Sequence, residues 1–134
     1  MKRYNIFMNN QELAKKTESI FVSQCWHRGY ASPVQVLLDL GYLSKKDYES
    51  WRKGSVPYLE KVCQTNLSKL SFIMKQIRSC AVKYHCRPSF TVYQHKGKKL
   101  RFSKTGDPGI EKNYATHYVN MDLKKKEETE ETDG

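Results

Sequence analysis

Apolar residues recur along this chain first at helical and then at alternating intervals, and the period changes near Pro88. Leu13, Thr17, Ile20, Phe21 and Cys25 share one face at three- and four-residue steps, which predicts a helix from about Asn10 to Arg28. Asn10 is placed to cap it and Gly29 to stop it. In SPVQVLLDLG, Ser32 reads as an N-cap, Pro33 as the first helical residue and Gln35 as the closing member of a capping box. Val34, Leu37 and Leu38 would form the apolar face of that helix before Gly41 ends it. LSKKDYESWRKG repeats the logic: Ser44 caps, Asp47 favours the N-terminus, Tyr48 and Trp51 point inward, and Gly54 terminates.

The longest pattern follows. Leu59, Val62, Cys63, Leu67, Leu70, Met74, Ile77, Ala81 and Tyr84 predict one amphipathic helix of roughly 27 residues, with Lys61, Lys69, Lys75 and Arg78 on its other face. Beyond Pro88, Phe90 and Val92 alternate with Thr91, Tyr93 and His95, and Leu100 and Phe102 alternate with Arg101 and Ser103, around a KGKK turn. This predicts a β-hairpin over about 89–104, with Phe90, Val92, Leu100 and Phe102 against the helices and Tyr93, Arg101 and the basic tip toward water. GDPG turns the chain, and IEKNYATHYV reads as a short helix or an extended cap over the hairpin.

The chain therefore divides into an N-terminal arm over 1–9, a single domain over 10–119 and a charged tail over 120–134 that lacks patterned core residues and reads as disordered. The fold class is α+β, mainly helical: a helical bundle with a C-terminal β-hairpin. Its element order is winged-helix-like, with two departures. With Gly41 as the turn glycine, Tyr48 and Trp51 sit one place beyond the usual apolar positions of a second helix, and the last helix is longer than that fold needs.

Two blocks, WRKGSVPYLEKV (Trp51–Val62) and LRFSKTGDPGIEKNYATHYV (Leu100–Val119), resemble a family of small bacterial proteins with the same order of blocks, over roughly residues 25–119. The resemblance implies a bacterial protein. It brings no activity and carries over no functional residue.

Charge changes the picture more than composition does. Lys and Arg number 24 against 14 Asp and Glu, a formal net charge of +10. The segment from Lys61 to Gly106 contains eleven Lys or Arg and no acid. Such a run implies a continuous positive field, for which nucleic acid is the commonest partner. The hairpin offers Lys96, Lys98 and Lys99 at its tip, Arg101 and Lys104 along its return, and Tyr93 as a stacking surface for an unpaired base. Arg78 extends the surface onto the long helix. The short helix after Ser44, with Lys45, Lys46, Arg52 and Lys53, is a second candidate for entering DNA.

The expected function is a small basic protein that binds DNA or RNA through its phosphate backbone. One alternative is an accessory subunit that docks an acidic protein or forms a homodimer through the amphipathic helix. Another is a small ribonuclease using Glu111, Tyr114 and His117, which would share one face if all three were helical. The spacings Cys25-x-His27 and Cys80-x4-His85-Cys86 lack paired metal-ligand form, so neither metal nor cofactor is expected. No stretch has the length of a membrane span or a signal peptide, and the protein reads as cytosolic with reduced cysteines.

Overall fold

Asn9, one residue earlier than the pattern suggests, caps the first helix: its side-chain oxygen accepts the Glu12 N–H at 2.9 Å, and α1 runs Asn10–Arg28. The structure is a computed structural model and describes residues 9–122. Residues 1–8 of the expected arm and 123–134 of the expected tail lie outside the described residues. Leu13, Thr17, Phe21 and Cys25 form the inner face of α1, joined by Gln24. The buried Gln24 amide is satisfied on both sides. Its oxygen accepts from the Ser32 N–H and from Arg28, and its nitrogen donates to Asp39 at 2.8 Å.

A two-residue strand, β1 (Tyr30–Ala31), leads into α2 (Pro33–Leu40). Ser32 caps α2 through the Gln35 N–H, but the predicted capping box does not close, because the Ser32 N–H already donates to Gln24. Val34, Val36, Leu37 and Leu40 are buried, whereas Leu38 is only half-buried. Gly41 ends the helix in a left-handed conformation (φ 86°), which a residue without Cβ adopts readily. Ser44 caps α3 (Lys45–Arg52) through the Asp47 N–H at 3.1 Å, and Trp51 is fully buried.

The predicted 27-residue helix is two pieces. Leu59–Val62 is a single 3-10 turn, and α4 spans Leu67–Lys83, capped by Asn66, which accepts the Lys69 N–H at 2.8 Å. Gln64 N–H, which a continuous helix would pair with Glu60 O, donates to Tyr42 O instead, and Leu59 N–H and Glu60 N–H tie the 3-10 turn to Arg101 O and Phe102 O. Leu59 and Cys63 before the break and Leu70 after it are buried, whereas Leu67, which the spacing places on the same face, is exposed.

The sheet also differs from the expectation. β2 (Cys86–Phe90) pairs not with residues 100–104 but with β5 (Thr116–Asn120), antiparallel and in the order β1-β5-β2. The register sets Phe90 opposite Thr116, and Thr91 N–H extends the ladder to Ala115 O. The hairpin is correspondingly short: β3 (Gln94–His95) pairs with β4 (Lys98–Lys99). IEKNYATHYV is both a helix and a strand, α5 (Pro108–Ala115) followed by β5. Asn120, assigned above to the tail, is buried within β5.

The class is nonetheless α+β and mainly helical, with α1 packed on α4 and the sheet against both. Leu100 and Phe102 are buried as the pattern predicts, and an aromatic row of Trp51, Phe102 and Tyr114 joins α3 to α5 through ring centroids 5.2 and 5.5 Å apart. Among the described residues no helix is long and apolar enough to cross a membrane.

Candidate nucleic-acid interface

The two motif blocks meet in space, joined by the hydrogen bonds that Glu60 accepts. Trp51 Nε1 donates to Arg101 O at 2.8 Å, and Leu59 N–H reaches the same carbonyl. Glu60 accepts the Lys104 N–H at 2.8 Å and the Tyr114 hydroxyl at 2.7 Å. From the opposite side Glu111 accepts the N–H groups of Phe102 and Ser103 and the Ser103 hydroxyl, the last at 2.6 Å. Two acids thus clamp the backbone of residues 102–104. Burial, and then the Glu60 carboxylate, push the Tyr114 hydroxyl well above its ordinary range, so it stays a donor.

This placement decides the electrostatics. Nine acids fall between residues 9 and 122, and of these only Glu18 forms an ion pair among the described residues, with Lys83 at 2.7 Å. Glu12, Asp39, Glu60, Asp107 and Glu111 accept hydrogen bonds from neutral groups. No described acid pairs with Lys96, Lys98, Lys99, Lys104 or Arg78, and all five are exposed. None of the five is held in an ion pair with a described acid, although Glu60 borders the same hollow as Arg78 and Lys104, and Glu111 the same hollow as Lys99.

The tip of the short hairpin carries three of these cations. Lys96 (φ 50°) and Gly97 (φ 79°) are the two residues of its turn. Positive φ at both central positions is the type I′ geometry that matches strand twist. At Gly97 it is free of strain, whereas a lysine in that conformation costs about 1 kcal/mol. A Cβ added at Gly54 would lie 3.6 Å from His95, so the hairpin sits beside the end of α3. Lys53, at the end of α3, is exposed.

Other candidates fall differently. Tyr93 is not an exposed stacking surface. It is buried, with its ring against Trp51 (5.6 Å) and Phe102 (5.3 Å) and the Arg52 guanidinium 5.2 Å above it. Alternation predicts two faces but not which is inward. Tyr93 takes the inner one because this aromatic cluster and the hydroxyl partners Ser32 and His117 receive it, leaving Phe90 and Val92 outside at 63 % exposure each. Arg101 keeps its charge but not its free fork: Nε donates to Ser103 O and Nη2 to Lys104 O, and the group lies 5.1 Å over the Tyr58 ring.

Two hollows flank α5. One, of about 250 Å³ and between α4 and α5, is bordered by Arg78 and Lys104 with Ser71, Thr105 and Asn113. The other, of about 450 Å³, is bordered by Phe90, Val92, Lys99 and Lys112. Lys112 lies outside the acid-free run, and no sequence signal singled it out. The alternation that predicts an exposed Tyr93 predicts a core Phe90, and the structure reverses both.

Glu111, Tyr114 and His117 do not share a face. α5 ends at Ala115, so His117 is on a strand, and each of the three turns to a different partner. His117 Nε2 and the Tyr93 hydroxyl are 2.9 Å apart, and the imidazole stacks on Tyr30 at 5.2 Å. Burial, and then Arg28, lower its pKa below the ordinary histidine value. Cys25 and Cys86 do meet, with sulfurs 3.7 Å apart, but burial pushes the Cys25 thiol up to about 12, which keeps it a packed thiol. Among the described residues no group of three or more His, Cys, Asp or Glu could hold a metal ion.

No family model, no curated protein and no solved structure matches the chain.

Proposed function

We propose that this protein binds nucleic acid, with Lys96, Lys98 and Lys99 at the hairpin tip as the principal phosphate contacts and Lys104 and Arg78 extending the surface beside α5. One observation carries this reading: the acids flanking the basic segment, Glu60, Asp107 and Glu111, accept hydrogen bonds from neutral donors and form no ion pair with its cations, which stay exposed. Lysines in that state neutralise phosphates and release counterions, which is the main source of sequence-independent affinity. Contact is chiefly to backbone, because the one arginine at the hairpin has two donor positions held by its own chain. A cytosolic setting goes with this reading.

The ribonuclease alternative drew on a shared face for Glu111, Tyr114 and His117, and that face does not form. An acidic protein remains the competing partner class for the same cations. An electrophoretic shift at low salt tests the proposal, using the wild type, a K96A/K98A/K99A variant, and a K15A/K16A control that removes exposed charge from α1. The tip variant should lose the shift and the control should keep it. Equal behaviour of the two variants would refute a tip-centred interface.

A further inference from the structure

Phe90 and Val92 are large apolar side chains left 63 % exposed at the end of an edge strand. Their position is fixed rather than loose, because the Thr91 N–H between them donates to Ala115 O at 3.0 Å. Lys112 Nζ lies over the Phe90 ring, 4.7 Å from its centroid. Lys99, one of the hairpin cations, borders the same hollow of about 450 Å³. The one acid on its rim, Glu111, is committed to the backbone at 102–103. The result is an aromatic ring with an apolar neighbour, a hollow of ligand-sized volume and two ammonium groups.

We infer that this hollow receives an unpaired nucleobase stacked on Phe90, with the Lys112 ammonium moving off the ring to meet the attached phosphate, so that the surface prefers single-stranded to double-stranded nucleic acid. The inference rests on the nucleic-acid reading above and adds the substrate class. The occupant follows from charge and shape together. An apolar partner would match the ring but not Lys99 and Lys112, and a free phosphate would match the lysines but not the ring. A base with its attached phosphate matches both, since stacking tolerates any base and the flanking ammonium groups take the backbone charge. In a duplex the base faces are covered by their neighbours, so Phe90 has no surface to meet and only the lysines contribute. Phe90 thus takes the role that the sequence pattern gave to Tyr93.

Fluorescence anisotropy with labelled oligothymidylate, oligouridylate and a mixed-sequence DNA duplex, at about 50 mM salt, tests this. Phe90→Ala should weaken single-strand binding about fivefold or more, Phe90→Trp should retain it, and duplex binding should be unchanged by either. K98A/K99A should weaken binding to single strand and duplex alike. A tighter grip on one of the two single strands would identify DNA or RNA as the source of the base. If Phe90→Ala leaves single-strand affinity intact, or lowers single-strand and duplex affinity equally, stacking is wrong while nucleic-acid binding stands. If the wild type binds none of the three oligomers, both readings fail. Because Phe90 is mostly exposed, a circular dichroism spectrum matching wild type is expected for both variants.

Discussion

The Tyr114 hydroxyl donates to the Glu60 carboxylate at 2.7 Å, across the gap between a 3-10 turn and a helix 54 residues further along the chain. With Glu60 also accepting the Lys104 N–H, the contact fixes α5 against the 102–104 loop. Tyr114→Phe removes one hydrogen bond to a charged acceptor and should cost about 1.5–3 kcal/mol in urea unfolding. Glu60→Ala should cost more, because it also frees the Lys104 N–H. A Tyr114→Phe protein as stable as wild type would show that the clamp is not needed for the fold.

His117 gives stability a pH dependence of known sign. Its folded pKa is lowered by burial from the ordinary value of 6.5, so below 6.5 the unfolded chain binds more protons than the folded one. Stability is full above that value and falls as pH drops toward the folded pKa. His117→Gln should flatten the profile in that window. A second loss should begin below 4.5 and persist in the variant. Hydrogen bonds from Lys83 and then Tyr84 hold the Glu18 carboxyl below its ordinary value, so its contribution disappears as pH falls through the folded pKa. Urea midpoints from pH 3 to 8, roughly the span of these two windows, check both. An unchanged slope between pH 5 and about 6.5 in the variant would remove His117 as the cause.

Lys96 occupies a left-handed conformation that asparagine and glycine tolerate better. Lys96→Gly should therefore tighten the hairpin by up to about 1 kcal/mol, read as slower amide exchange at Lys98, while removing one charge from the tip. Faster exchange would mean that the turn does not have this geometry in solution.

Asn66 caps α4 where the sequence pattern runs on without a break. Asn66→Ala should cost about 1 kcal/mol of stability. No effect would favour the continuous helix that the apolar periodicity alone predicts.

These contrasts show which features were legible in the residues. Helix ends written by local chemistry were readable: the stop at Gly29, the caps at Ser32 and Ser44, the proline at the start of α2. The break at Cys63–Asn66 was not, because Leu59, Cys63 and Leu70 are buried whether or not the backbone between them is helical. The pairing of β2 with β5 was hidden because it joins segments about thirty residues apart and leaves no local turn signal. Once β2 took β5 as its partner, Phe90 faced outward, and a pattern of period two has no means of announcing that inversion. The basic tip was legible because charge does not depend on pairing. The hydrogen bonds that Glu60 and Glu111 accept from the 102–104 backbone and from Tyr114 and Ser103 were legible only in three dimensions.

Phosphate neutralisation by the hairpin tip shows itself in the salt dependence of binding. The logarithm of the association constant should fall linearly with the logarithm of salt concentration, and the K96A/K98A/K99A variant should show a slope shallower by about 2, the value for three lost phosphate contacts on a single strand. A variant with the wild-type slope, or a wild type whose affinity does not depend on salt, would contradict it.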